Sequence, residues 1–209
     1  MQTQKKPENK KIKILAIGDI HGDSTLVKNL ADRAEKENVD LVILAGDLTM
    51  ADQSTKGIIG PFLAKKKKVF IVHGNHESIA TTDFLTEVYT DTKNIHGYST
   101  IHKDIGIFGA GGAIGFGTTS EKEIFDLLKK GNSYLKGIDK KIMVTHMHHA
   151  GSKAEFSGFK GSKGIKEAIE KFQPDFAISA HIHEAGGLIE KIGKTTIINV
   201  ARNAAIFEI

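Results

Sequence analysis

Apolar runs and polar breaks follow one another along this chain in a pattern that predicts strands and helices in turn. Ile12-Lys13-Ile14-Leu15-Ala16-Ile17 is largely apolar and rich in β-branched residues, and it breaks at Gly18-Asp19-Ile20-His21-Gly22-Asp23. That is a strand ending in a polar loop. Asp23 or Ser24 can then cap a helix carrying Leu26, Val27, Leu30 and Ala34 on one face. Leu41-Val42-Ile43-Leu44-Ala45 is continuously apolar, as suits a strand buried on both faces, and it ends at Gly46-Asp47. A helix is expected from about Ser54 to Lys66, with Gly60-Pro61 marking a break or a late start. Val69-Phe70-Ile71-Val72 is a third strand, closed by His73-Gly74-Asn75-His76-Glu77, and a helix around Phe84, Leu85 and Val88 follows.

The middle of the chain is more β-like. Tyr98 to His102 and Ile105 to Phe108 read as two strands joined at Lys103-Asp104. Ser120 and Glu123 have the spacing of a capping box ahead of a helix with Ile124, Phe125, Leu127 and Leu128. Lys141 to Val144 is a strand leading into Thr145-His146-Met147-His148-His149. Ile165, Ala168, Ile169 and Phe172 keep helical spacing up to Pro174, and Phe176 to Ser179 runs into Ala180-His181-Ile182-His183-Glu184. Short antiparallel strands are expected around Gly193 and Asn203. Strands alternating with helices, then hairpins, predict an α/β sheet with a second, more antiparallel sheet packed on it.

Composition narrows the class. A chain of 209 residues with 40% hydrophobic content reads as one domain over residues 11–209, with a disordered polar tail over residues 1–10. No apolar stretch approaches the ~20 residues of a membrane span. The absence of cysteine excludes disulfides and thiolate ligands and fits a cytoplasmic location. The net charge of +4 is mild. Lys65-Lys66-Lys67-Lys68 falls where a helix should end and reads as a solvated terminus, so a nucleic-acid partner is not expected.

Five polar blocks each follow a strand-like run: Asp19/His21, Asp47, Asn75/His76, His146 and His181/His183. Chemistry in α/β sheets collects beyond the carboxyl ends of strands. In extended backbone, Asp19 and His21 would point to the same side and converge. Carboxylate, imidazole and amide oxygen without sulfur suit divalent Mn, Fe, Zn, Ni or Co. The donors are too many for one tetrahedral site and match two ions, which need a bridging carboxylate. Asp47, the isolated carboxylate, takes that place. Two divalent ions with Asp19, Asp47 and one hydroxide retain positive charge, which draws an anion such as a phosphoester.

The series GDIHGD, GD, GNHE, H and HIH, in this order, resembles the calcineurin-like metallophosphoesterase superfamily, and most closely its small prokaryotic phosphoesterases. The resemblance implies a four-layer α/β/β/α sandwich of two packed, mostly mixed sheets flanked by helices. It implies that Asp19, His21 and His183 hold one metal, that Asp47 bridges, and that Asn75, His146 and His181 hold the second. His76 would face the substrate and stabilise or protonate the leaving oxygen. The function expected is hydrolysis of a small phosphodiester or phosphomonoester, by in-line attack of a hydroxide bridging two divalent ions, Mn first among the choices. The sequence departs from the superfamily at Ala180, where glycine is usual before the HxH pair, and at Leu48-Thr49-Met50 after Asp47. The phosphate-clamping arginines of the protein phosphatases have no counterpart, because Arg33 lies on the first helix. That argues against a phosphoprotein substrate.

Other residues have weaker claims. His148 and His149 either contact substrate or are loop histidines without a role, His73 packs away from the site, and His96 and His102 read as surface. Gly109-Ala110-Gly111-Gly112 lacks the spacing of a nucleotide loop and suits a tight backbone approach at the metal site. Arg202 and Asn203 either reach the substrate or form a surface turn. The loops Gly112–Thr119 and His148–Gly161 are where specificity must lie. The rival to an enzyme is a non-catalytic metal-binding scaffold that uses the same fold to bind a protein partner. Completeness of the ligand series favours the enzyme. A nuclease would call for a longer basic groove.

Overall fold

The computed structural model describes residues 11–115 and 119–209. The expected tail over residues 1–10, and residues 116–118 of the first expected specificity loop, lie outside the described residues. In chain order the elements are β1 (Lys13–Ile17), α1 (Ser24–Lys36), β2 (Leu41–Ala45), α2 (Gly60–Ala64), β3 (Lys68–Val72), α3 (Ile79–Val88) and β4 (Thr92–Asn94). Then come β5 (Ser99–His102), β6 (Ile105–Ala110), α4 (Glu121–Ser133), β7 (Lys140–Thr145), α5 (Lys163–Phe172), β8 (Phe176–Ser179), β9 (Ile189–Ile192), β10 (Thr195–Asn199) and β11 (Ala205–Glu208). Two short 3-10 helices span Lys153–Ser157 and His183–Ala185.

The strands form two mixed sheets, a five-stranded one ordered β11-β1-β2-β3-β4 and a six-stranded one ordered β5-β6-β7-β8-β10-β9. The pleat decides what each face buries. Ile14 and Ala16 of β1, Leu41 and Ile43 of β2, and Ile142 and Val144 of β7 meet in the apolar layer between the sheets. Their neighbours Leu15, Ile17, Val42 and Leu44 turn outward against α1 and α2. On the other side Phe108 and Met143 turn outward against α4 and α5. The result is the expected four-layer sandwich, with central strands such as β2 and β6 buried on both faces.

Local chemistry starts most helices where the sequence places them. Asp23 caps α1 by accepting from the Leu26 amide at 2.9 Å, and Ser120 with Glu123 forms the expected capping box on α4. The helix expected from Ser54 begins only at Gly60, because Pro61 fixes the first turn. Lys65, the first of the lysine run, closes that helix and pairs across to Asp32 and Glu35 of α1 at 3.0 and 2.7 Å.

Two differences from the sequence reading concern sheet edges. β4 is a polar three-residue strand with no apolar period to announce it. The tail does form a hairpin at Gly193, where β9 and β10 pair antiparallel, but there is no second hairpin at Asn203. β10 runs parallel to β8 in one sheet, and β11 runs antiparallel to β1 in the other. The segment between them crosses from sheet to sheet and bridges at Gly18–Ala201, beside the loop that follows β1.

Candidate metal centre

The polar blocks after β1, β2, β3, β7 and β8 gather at one end of the two sheets. Asp19 Oδ1 lies 3.3 Å from His183 Nε2 and 3.9 Å from His21 Nε2, and the two imidazole Nε2 atoms are 3.1 Å apart. Asp47 Oδ2 lies 3.8 Å from His21 Nε2 and 3.9 Å from His76 Nε2, while its Oδ1 is 3.5 Å from His146 Nε2. His146 Nε2 is also 3.1 Å from Asn75 Oδ1 and 3.2 Å from His181 Nδ1. The structure therefore brings together every residue of the expected constellation. Asp47 touches both halves.

The convergence of Asp19 and His21 does not come from extended backbone, as their i, i+2 spacing suggested. Both residues are left-handed, with φ of 55° and 49°, and so are Asp47 at 51° and His181 at 73°. Such a conformation costs a residue with a side chain about 1–3 kcal/mol. It is held by cross-links between loops. The Asp19 amide donates to the Gly46 carbonyl and the His21 amide to the Asp47 carbonyl, each at 2.9 Å. The turn aims each side chain inward in place of the pleat.

Close backbone approach is the other requirement. A methyl group on Gly74 would overlap the Asp47 carboxylate, and one on Gly46 would come within 2.6 Å of His146 Nδ1. Ala180, the departure from the usual glycine, is accommodated because it faces Gly18. A side chain on Gly18 would collide with the Ala180 methyl.

The donor set suits cations. The His146 Nδ1–H donates to the Ala45 carbonyl at 2.9 Å, which turns Nε2 toward Asn75, Asp47 and His181. Asp19 Oδ1 is buried with no hydrogen-bond partner, while its Oδ2 accepts the His181 amide at 2.9 Å. Asp47 Oδ1 accepts the amides of Asn75 and His76 at 2.8 and 3.0 Å. Burial raises the pKa of Asp19 against the pull of His146. Burial also raises that of Asp47, but His146 and the His76 amide outweigh it and hold this carboxyl below its usual range. Burial pushes His21 down against Asp47 and Asp19, and with His146 it pushes His181 down to about 3. Imidazole nitrogens and carboxylate oxygens face one another with few protons to share, which a divalent cation would satisfy.

The residues with weaker claims fall into place around this cluster. His148 and His149 are buried in the loop after β7, and His148 lies behind His181 with ring centroids 6.3 Å apart. His73 packs as expected, against His96 at 4.4 Å. His96 and His102 are half-buried, which corrects their reading as surface. The Nδ1 of His96 accepts the Gly111 amide at 2.9 Å, and His102 stands edge-on to Phe70. Gly111 and Gly112 make the tight approach expected of the glycine run, but onto His73, whose carbonyl accepts the Gly112 amide at 3.0 Å.

Two residues matter whose bracing role the sequence did not show. Glu77 accepts the amides of Gly74, Leu48 and Thr49 at 2.7, 2.8 and 3.2 Å, tying the loop after β2 to the loop after β3. Burial pushes its pKa up to about 7. Arg202 donates to the carbonyls of Asp19 and Ile20 at 3.2 and 3.1 Å. It sits exposed in a bend after β10, as the surface-turn alternative had it, and from there braces the first loop. Asn203 donates to the Gly186 carbonyl.

A family model for calcineurin-like phosphoesterases matches residues 12–185. The chain belongs to that family and is a metallophosphoesterase, a metal-dependent hydrolase of phosphoric esters. Solved structures of the same fold include TT1561 of Thermus thermophilus, at 18% identity and a TM-score of 0.75, covering 92% of this chain and 90% of that one. An archaeal phosphodiesterase matches at 16% identity and a TM-score of 0.54, over 91% of this chain and 84% of its own. A dimetal phosphatase from Danio rerio matches at 10% identity and a TM-score of 0.59, over 90% and 86%. No curated protein gives a significant match to the sequence.

Proposed function

We propose that the chain hydrolyses a small phosphodiester or phosphomonoester at a centre for two divalent cations. One observation carries this reading. His21 and His183 turn their Nε2 atoms to within 3.1 Å of each other, beside a buried Asp19 oxygen that has no hydrogen-bond partner. Asp19, His21 and His183 would hold one cation, Asn75, His146 and His181 the other, and Asp47 would lie between them. The names of two structural neighbours, a phosphodiesterase and a dimetal phosphatase, point the same way. Mn is the first candidate, with Fe, Zn, Ni or Co also suited to these donors.

When bound, two such cations supply positive charge for the phosphoryl oxygens and lower the pKa of the attacking water, which approaches phosphorus in line. The protein supplies the rest. His76, whose side chain is 37% exposed, stands at the open edge of the cluster with its ring edge-on to His21 at 4.7 Å. From there it can donate a proton or a hydrogen bond to the leaving oxygen. The amides of Asn75 and His76 keep Asp47 ionised and fixed. A cytoplasmic location accords with the cysteine-free sequence. Among the described residues no helix is long and apolar enough to cross a membrane.

The test is hydrolysis of bis(4-nitrophenyl) phosphate and 4-nitrophenyl phosphate by dialysed protein supplied in turn with Mn, Co, Ni, Zn and Mg. Turnover with one or more metals is expected. None with any of them would favour the scaffold.

A further inference from the structure

The cluster opens into a cavity of about 320 Å³ lined by His21, Asp47, His76 and His183 on one side and by Met50 and Phe159 on the other. A second cavity of about 350 Å³ continues from it past Phe159 to Phe156 and Glu184. Phe156, Phe159 and Met50 are 64%, 49% and 44% exposed. Single exposed apolar residues are ordinary, but three on the rim of one cleft mark a surface that is covered when the protein works.

The segment that presents the two phenylalanines is built. Glu155 Oε1 accepts the amides of Gly151 and Gly161 at 2.9 and 3.0 Å, closing the loop across its base. The Lys153 amide donates to Glu190 at 2.9 Å, and Ser162 and His148 are joined through their backbone at 2.9 Å. These contacts fix the backbone that carries both rings, and the Phe159 ring stands edge-on to His181 with centroids 6.3 Å apart.

Charge adds a second constraint. Neither cavity is lined by a lysine or an arginine among the described residues, and Glu184 adds negative charge to one of them. Two divalent ions with Asp19, Asp47 and a hydroxide would leave one positive charge, which a phosphodiester monoanion neutralises.

We infer that the substrate is a phosphodiester bearing at least one aromatic ester group, and that Phe159 and Phe156 receive this group beside the phosphate. The inference rests on the phosphoesterase reading above and narrows it to a substrate class. An aryl ring on the ester oxygen, or a base carried on the sugar of a nucleotide ester, would present the flat face for stacking.

The experiment is calorimetric titration of Mn-loaded protein with diphenyl phosphate, dimethyl phosphate and phenyl phosphate, for wild type and for the double variant F156A/F159A. Wild type should bind diphenyl phosphate at least ~10-fold more tightly than dimethyl phosphate, which carries the same charge without rings. It should also bind diphenyl phosphate more tightly than the phenyl phosphate dianion. In the double variant the first ratio should fall to within ~3-fold. Equal binding of the two diesters by wild type, or a ratio that survives loss of both rings, overturns the inference. Hydrolysis of bis(4-nitrophenyl) phosphate by wild type is read separately. Its failure with every metal would sink the phosphoesterase reading, whereas turnover without ring discrimination would sink only the substrate class.

Discussion

His21 and His183 lie 162 positions apart and bring their Nε2 atoms to 3.1 Å, each also facing Asp19 Oδ1. At most one proton fits between two ring nitrogens, so the pair is an acceptor-rich pocket in want of a cation. His183→Ala should lose one of two bound metal equivalents while the other stays. Metal analysis after dialysis checks this, and full retention of two would remove His183 from the ligand set.

His76 has a different expected signature. Its ring stands at the exposed edge, so His76→Ala should keep both metals and lower kcat by roughly 10²–10⁴-fold, the usual share of a general acid. Loss of a metal in this variant would show that His76 is a ligand.

Arg202 acts at a distance from the chemistry. Its guanidinium holds the carbonyls of Asp19 and Ile20 and lies 3.5 Å from Asp23. Arg202→Ala should weaken metal binding by roughly 10-fold, the low end for a residue that orients ligands, with little change in circular dichroism. Unchanged affinity would leave it a surface residue.

The departure at Ala180 makes a paired prediction. Gly18→Ala should destabilise the fold and displace Asp19, because the new methyl would collide with that of Ala180. Ala180→Gly should restore much of what Gly18→Ala loses, since it vacates the same space. Thermal melts of the two single variants and the double variant form the cycle, and simple additivity would show that the methyl groups do not compete.

The pH dependence follows from buried histidines. Burial, with His96 for His73 and His146 for His181, pushes both imidazoles down to about 3. A lowered imidazole pKa carries no penalty above the unfolded value of 6.5, and the penalty grows as pH falls from there toward 3. Glu77 opposes this. Its raised pKa gives stability that is full below 4.5 and lost as pH rises through about 7. Asp19, also raised by burial, opposes it too, whereas His21, His96, His102, His148 and His149 are lowered like His73 and His181, and the seven imidazoles outweigh the two carboxyls. Metal-free protein should lose stability as pH falls from 6 to 5, by on the order of 1 kcal/mol. Denaturant titrations at those two values would contradict this if stability held or rose on acidification.

How much of the site could be read from the chain depended on where each residue lies relative to a strand. Asp19, Asp47, Asn75, His146 and His181 stand just past apolar runs, so a linear pattern marks them. The left-handed turns that aim Asp19 and Asp47 leave no such mark, because neither residue is a glycine. Glu77 and Arg202 act through backbone groups of other loops, and Arg202 is 183 positions from Asp19. Composition carries no trace of that contact. The layered sheets were legible from apolar alternation, whereas β4 and the crossing at Asn203 were not. An edge strand of three polar residues has no period, and which sheet β11 joins is decided by pairing with the distant β1.

Crystals grown with Mn and measured for anomalous scattering would locate the cations directly. Two peaks about 3.5–4 Å apart, one beside His183 and one beside His146 with Asp47 between them, are expected. A single peak, or two on the same side of Asp47, would contradict a paired centre.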